Sequence, residues 1–142
     1  MIALREITDE NIRDCLALDA GEGRQGFVAN SFAVAWINRS SAEPLMIYSD
    51  EKPVGFMLLV IDEGLKTCYL RRLMIDRNHH RKGYGKAAML AVIQCIKQNT
   101  ACKLIDLNVS PKNAAAIGLY ESLGFVQTGE MRYGEIVMTL DL

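Results

Sequence analysis

Residues 80 to 86 read His80-Arg81-Lys82-Gly83-Tyr84-Gly85-Lys86, a basic turn punctuated by glycine. An apolar run, Leu70 to Ile75, precedes it, and a helical pattern, Ala87 to Gln98, follows. Glycines at such a turn let the backbone pass close to a ligand. Successive N–H groups then point at it, and the helix N-terminus adds positive potential. Arg81, Lys82 and Lys86 add formal charge around the turn. The chemistry this arrangement suits is the binding of phosphates.

Three phosphate cradles compete. A P-loop requires G-x-x-x-x-G-K-[ST], and the interval from Gly83 to Lys86 is too short for it. Gly83-Tyr84-Gly85-Lys86-Ala87-Ala88 matches the dinucleotide pattern G-x-G-x-x-A, with Asp106 about 20 residues further on. That pattern places its first glycine at the strand end, whereas Asp76 to Lys82 intervene here. Asp106, followed by Leu107-Asn108-Val109, also reads as mid-strand. The third cradle fits best. The segment resembles motif A of the GCN5-related N-acetyltransferases (GNAT), Q/R-x-x-G-x-G/A after a strand, which binds the pyrophosphate of acetyl-CoA. Its glycines are Gly83 and Gly85, and the Q/R position is His80, a departure that leaves the backbone cradle intact.

A second segment, Asn113-Ala114-Ala115-Ala116-Ile117-Gly118-Leu119-Tyr120-Glu121-Ser122-Leu123-Gly124-Phe125, resembles the same family's N-x-x-A-x-x-L-Y-x-x-x-G-F. Physically it reads as a helix closed by Gly124, with Phe125 opening the next strand. The resemblance runs from about Leu70 to the C-terminus. It implies acetyl-CoA as co-substrate, held by Leu73, Met74 and Ile75 of the preceding strand, by the cradle His80, Arg81, Lys82, Gly83, Tyr84, Gly85 and Lys86, and by Asn108, Asn113 and Tyr120. The Leu73 N–H would polarise the thioester carbonyl, and Tyr120 would protonate the leaving thiolate. The residues by themselves also allow Tyr120 a packing role and Asn113 a purely capping one. No general base is singled out. Asp76 reads as a loop cap, Asp106 as a strand residue of either face, Asp62 and Glu63 as solvated turn carboxylates, and His79 and His80 as loop residues beside phosphates.

Within the family the chain looks most like bacterial spermine/spermidine acetyltransferases, through Gly26-Phe27-Val28-Ala29-Asn30-Ser31-Phe32, Ile47-Tyr48, Pro53-Val54-Gly55-Phe56 and Arg72-Leu73-Met74-Ile75-Asp76. That likeness implies a small-molecule polyamine acceptor, for which Glu22, Glu43, Asp62, Glu63, Glu130 and Glu135 offer acidic contacts. Acetylation of a protein N-terminus or an aminoglycoside, or a non-catalytic CoA-binding module, are the alternatives. Homodimerisation is left open.

Composition narrows the remainder. The chain has 142 residues, half of them apolar, which suits one domain burying about two-thirds of its unfolded surface. A net charge of −1 gives no bulk reason to expect nucleic acid or an anionic membrane. No apolar run approaches the roughly 20 residues of a membrane span, and Met1-Ile2-Ala3-Leu4-Arg5-Glu6 does not read as a signal peptide. Cys15, Cys68, Cys95 and Cys102 lack metal-ligand spacing and read as buried thiols of a cytoplasmic protein; no metal is expected.

The elements that must position the cradle follow from periodicity. Strands are predicted at Ile2 to Ile7, Pro44 to Tyr48, Val54 to Ile61, Lys66 to Ile75, Lys103 to Val109, Phe125 to Met131 and Glu135 to Leu140. Helices are predicted from Asp9 to about Ala20 with Thr8 as cap, from Asn30 to Arg39 with Phe32, Ala35 and Trp36 on one face, over Ala87 to Gln98, and after Asn113. The run of apolar residues from Ala87 to Ile96 predicts a helix packed between the sheet and another element. This order makes an α/β protein with a mixed sheet and helices on both faces. The resemblance further implies that the parallel strands Leu70 to Ile75 and Leu104 to Val109 splay apart.

Overall fold

The computed structural model describes residues 1–21, 27–37 and 39–142. The polar, glycine-rich segment 22–26, which holds the acidic candidate Glu22, lies outside the described residues. Among the described residues seven strands form one sheet: β1 (Ile2–Glu6), β2 (Ala42–Ser49), β3 (Lys52–Asp62), β4 (Thr67–Ile75), β5 (Leu104–Val109), β6 (Val126–Arg132) and β7 (Glu135–Asp141). Their order is β1-β2-β3-β4-β5-β7-β6, antiparallel except for the β4–β5 pair. Helices α1 (Ile12–Leu16), α2 (Phe27–Ile37), α3 (Tyr84–Asn99) and α4 (Ala114–Ser122) cover the two faces.

Strand alternation divides the core. Leu45, Ile47, Met57 and Leu59 turn to the face covered by α3 and α4, where Met89, Val92, Tyr120 and Phe125 meet them. Met46, Tyr48, Phe56 and Leu58 turn to the other face, against Cys15, Val28 and Ala35 of α1 and α2. Central strand β3 is therefore buried on both sides, and each such large side chain contributes about 1.5–3 kcal/mol by leaving water. Gly55 on β3 reflects a close approach. A Cβ there would stand 2.5 Å from the Met74 carbonyl oxygen and 2.9 Å from Ile75 Cδ1. Gly55→Ala is expected to destabilise the fold by about 1–3 kcal/mol, read from urea denaturation, because backbone cannot give way as a side-chain tip can.

The structure corrects five sequence expectations. The first helix is five residues long instead of spanning Asp9 to Ala20. Its N-cap is Asn11 rather than Thr8, and the Asn11 side chain accepts the Thr8 N–H at 2.8 Å. Only Cys15 of this helix is buried, so little apolar surface rewards its extension. Trp36, placed by periodicity beside Phe32 and Ala35, is 68% exposed; the Arg39 guanidinium lies 4.6 Å from its ring centroid. Helix α3 buries Ala88, Met89, Val92, Ile93 and Ile96 along one side only, and Leu90 is 54% exposed, so it is not enclosed by a second layer. Cys95 lies on that outer side and is exposed, while Cys15, Cys68 and Cys102 are buried. Burial pushes the Cys15 and Cys68 thiols up to about 12, which makes them inert.

The feature that builds the site is a failure of pairing. Parallel contact between β4 and β5 is confined to Thr67↔Leu104, Cys68↔Ile105 and Tyr69↔Asp106. Against β3, Leu59 pairs with Leu70 and Leu58 with Arg72, so Arg71 is an extra residue, a β-bulge. The bulge bends β4, and beyond it the two strands part.

Candidate active site

The cradle begins where β4 ends. Asp76 Oδ1 accepts the Asn78 N–H at 2.9 Å, capping a single 3₁₀ turn over Arg77–His79, and Oδ2 accepts the Asp19 N–H at 2.8 Å. Burial alone would raise this carboxyl, but the Asp19 and Asn78 N–H donors outweigh it and hold its pKa below the usual carboxylate value. Asp76 is thus a structural anchor tying the strand end to the segment after α1. Next, the ring of His80 reaches back, with Nε2 2.7 Å from the Ile75 carbonyl oxygen. A carbonyl can only accept, so Nε2 carries the proton. Arg81 and Gly83 both adopt left-handed backbone, at φ 63° and 77°, which only the glycine takes without steric cost. Gly83 is the N-cap of α3, and the first bond of that helix runs from the Ala87 N–H to the Gly83 carbonyl. The N–H groups of Tyr84, Gly85 and Lys86 therefore precede the helical ladder and are open to an anion.

The opened strands enclose a cavity of about 670 Å³. Leu70 to Ile75 form one wall and Leu107 to Ser110 the other; His80, Arg81 and Gly85 stand at the cradle end, with Asn113, Tyr120 and Glu135 also lining it. The Met74 carbonyl lies against β3, while the Ile75 carbonyl turns away to His80. By strand alternation the Leu73 N–H and carbonyl point the same way as those of Ile75, into the gap. Gly85 also fits a ligand cradle. A Cβ there would make only ordinary contacts, 3.7 Å from Leu119 Cδ2 and 3.9 Å from Ile75 Cγ1. Protein packing does not demand a bare backbone at that point; a ligand lying on it would.

Helix α4 delivers two of the predicted residues. Asn113 Oδ1 accepts the Ala116 N–H at 3.1 Å, so Asn113 does cap, and it lines the gap as well. The far end closes as the Gly124 signature predicted. The Gly124 N–H bonds to the Glu121 carbonyl and the Phe125 N–H to the Tyr120 carbonyl, with Gly124 at φ 99°. This cap holds Tyr120 against Phe125 at 5.7 Å between ring centroids. Burial pushes the Tyr120 hydroxyl up to about 12, so it stays protonated throughout the neutral range.

Other predicted residues are placed differently. Lys82, Gly83 and Lys86 are exposed at the cradle rim, and the Tyr84 side chain packs onto the core with its ring 6.3 Å from that of His79, leaving its N–H for the cradle. Asn108 lines the gap, but both ends of its amide are engaged: Oδ1 accepts from the Tyr69 hydroxyl and Nδ2 donates to Glu135 Oε1. Asp106 accepts from Arg132 Nη2 at 3.0 Å and sits mid-strand, as its neighbours predicted, which removes the acid that a dinucleotide site would place at a strand tip. The sequence could not show the bulge that this role of β4 requires, which the structure places at Arg71, and sequence reasoning missed the Tyr69–Asn108–Glu135 chain. Alternation of buried Ile105, Leu107 and Val109 with Asp106 and Asn108 was the available signal that the two polar residues share the opposite face. Among the described residues no group of three or more His, Cys, Asp or Glu side chains is placed to hold a metal ion, and no helix is long and apolar enough to cross a membrane.

Comparisons with known proteins agree with this geometry. The chain is 29% identical over 150 residues to a spermine/spermidine N(1)-acetyltransferase of Bacillus subtilis (strain 168), with 99% of each chain covered. In fold it matches the PaiA N-acetyltransferase from Thermoplasma acidophilum, solved in complex with coenzyme A, at a TM-score of 0.77 and 15% identity, covering 100% of this chain and 99% of that one. It also matches the spermidine N-acetyltransferase from Vibrio cholerae, solved with CoA and spermine, at a TM-score of 0.79 and 17% identity, covering 99% and 95%. A sequence model of the acetyltransferase (GNAT) family matches residues 10–125. That match spans both the cradle and the Asn113-to-Phe125 segment, and the chain belongs to the acetyltransferase (GNAT) family.

Proposed function

We propose that this chain transfers the acetyl group of acetyl-CoA to a primary amine, with a polyamine such as spermidine or spermine as acceptor, by direct attack in a ternary complex. The observation that carries the reading is the gap that runs from the cradle, past the inward-facing Leu73 peptide, to Tyr120. Acetyl-CoA supplies an acyl carbon activated as a thioester. The open N–H groups of Tyr84, Gly85 and Lys86, with Arg81, neutralise its pyrophosphate; each such charge–dipole contact is worth about 0.3–1 kcal/mol. Leu73 offers its N–H to the thioester carbonyl. Tyr120 holds a proton for the departing sulfur, and Asn113 has an amide N–H₂ free for the cofactor beside its capping bond. The polyamine acceptor is supported by the 29% identity to a spermine/spermidine acetyltransferase along the whole chain.

Thiol release from acetyl-CoA, followed across polyamines, aminoglycosides and peptides, tests the reading. The attacking nitrogen must be neutral, so the rate is expected to rise between pH 7 and 9, as the neutral fraction of an amine with pKa of about 10.4 grows. Tyr120, at about 12, adds no falling limb in that window. A multiply charged acceptor should also show a KM that rises with salt, since the Debye length falls from about 10 Å at 0.1 M to about 3 Å at 1 M. Higher kcat/KM for peptides or aminoglycosides overturns the polyamine assignment. Binding of acetyl-CoA without thiol release from any amine overturns the enzymatic one.

A further inference from the structure

A polyamine acceptor is a cation before it reacts, and a cation leaving water for a protein gap needs a carboxylate there. Asp76 at the end of β4 and Asp106 on β5 are already committed. Asp76 accepts from the Asn78 and Asp19 N–H groups, and Asp106 is paired with Arg132 Nη2 at 3.0 Å. Glu135 differs. Among the described residues it is the one carboxylate lining the gap, and it forms an ion pair with no cation there. Asn108 Nδ2 donates to its Oε1, and the Tyr69 hydroxyl donates to Asn108 Oδ1, so the carboxylate is held in place with Oε2 left over. Arg71, Arg72 and Arg81 line the same gap, and no ion pair joins any of them to Glu135. Arg72 Nη1 donates to the Arg71 carbonyl at 2.9 Å and its guanidinium lies 5.7 Å from the Phe27 ring centroid. The Arg71 guanidinium faces the Tyr69 ring at 5.8 Å, and Arg81 stands at the cradle end.

We propose that Glu135 receives, through Oε2, the ammonium group of a diamine or polyamine that does not react, and so selects acceptors with a second positive charge. The inference rests on the amine-acetylation reading above. The nitrogen held is the distal one; a carboxylate at the reacting nitrogen would serve both acceptors alike, as a base, and would confer no preference for a second charge. A carboxylate that grips the distal ammonium leaves the near amine free to lose its proton to water and attack.

Steady-state kinetics with 1,3-diaminopropane and n-propylamine, on the wild type and Glu135→Gln, provide the test. Glutamine keeps an oxygen to accept from Asn108 Nδ2, so the local chain is retained and only the charge is lost. A hydrogen-bonded ion pair of this kind corresponds to about 10–100-fold in binding. The wild type is expected to prefer the diamine, and Glu135→Gln to lose that preference by 10–100-fold, mainly through KM, while its propylamine kinetics and its thermal shift with acetyl-CoA stay within about threefold and 1 °C of the wild type. Glu135→Asp, which keeps the charge, is expected to retain most of the preference; it also provides the readout if the glutamine variant unfolds at lower temperature. An equal loss for both amines overturns the proposal and assigns Glu135 a role common to both acceptors, in scaffolding or in proton removal. A diamine preference that survives in Glu135→Gln, or is absent from an active wild type, overturns it too while leaving acetyl transfer standing. A wild type that releases no thiol with either amine or with spermidine overturns the underlying reading as well.

Discussion

Tyr120→Phe is expected to lower turnover with a primary amine by about 10²-fold or more while acetyl-CoA affinity stays nearly unchanged. The substitution removes one oxygen from a ring that would otherwise keep its place against Phe125 and its position in the gap. Its effect should therefore appear in kcat and not in binding. The hydroxyl, pushed up to about 12 by burial, is a weaker acid than a free thiol at about 8.5. The proton accordingly rests on Tyr120 while the thioester is intact and is shared as the C–S bond breaks and the sulfur becomes strongly basic in a desolvated site. The same shift has a stability consequence with a definite sign. A group whose folded pKa is raised contributes stability that is present below its unfolded value, about 10, and lost as pH rises toward 12. Wild type is thus expected to lose this contribution above pH 10, and Tyr120→Phe, with nothing to ionise, is not. Single-turnover thiol release together with the thermal shift caused by acetyl-CoA checks the first point. Unchanged turnover would return Tyr120 to a packing role.

Gly85→Asp is expected to abolish most of the stabilisation that acetyl-CoA confers. Ligand at 100 times its Kd adds about 2.7 kcal/mol to a protein that binds it only when folded. A Cβ at Gly85 meets nothing closer than 3.7 Å, so the variant should fold. What it loses is the bare backbone at the start of α3, where a carboxylate would now face phosphate. Thermal unfolding of both proteins with acetyl-CoA and with NADH separates the two cradles that the glycine spacing allows. A shift with NADH and none with acetyl-CoA would overturn the acetyl-CoA reading and revive the dinucleotide one, despite the engagement of Asp106 by Arg132.

Local signals carried most of the fold and part of the site. The caps at Asn113 and Gly124, the cradle glycines and the alternation of β5 each depend on residues within a few positions of one another, so a linear reading reaches them. Where periodicity misled, as at Trp36 and on the outer side of α3, the residue pattern was helical but the neighbour it needed was absent. Apolar spacing reports that a face can be buried, and only the packing partner decides whether it is.

What this sequence determined by itself was a basic, glycine-punctuated turn at a helix start, a tyrosine on a capped helix and a mixed sheet to hold them. Tertiary structure alone decided where the sheet opens and what meets there. The Arg71 bulge is a mismatch between β4 and β3, a property of register that neither strand carries alone. Asp76 became an anchor through Asp19, 57 residues away, and Glu135 reached Asn108 across 27. Contacts at such separations depend on the whole sheet closing first, because the entropy of bringing distant segments together is recovered only when the core is buried.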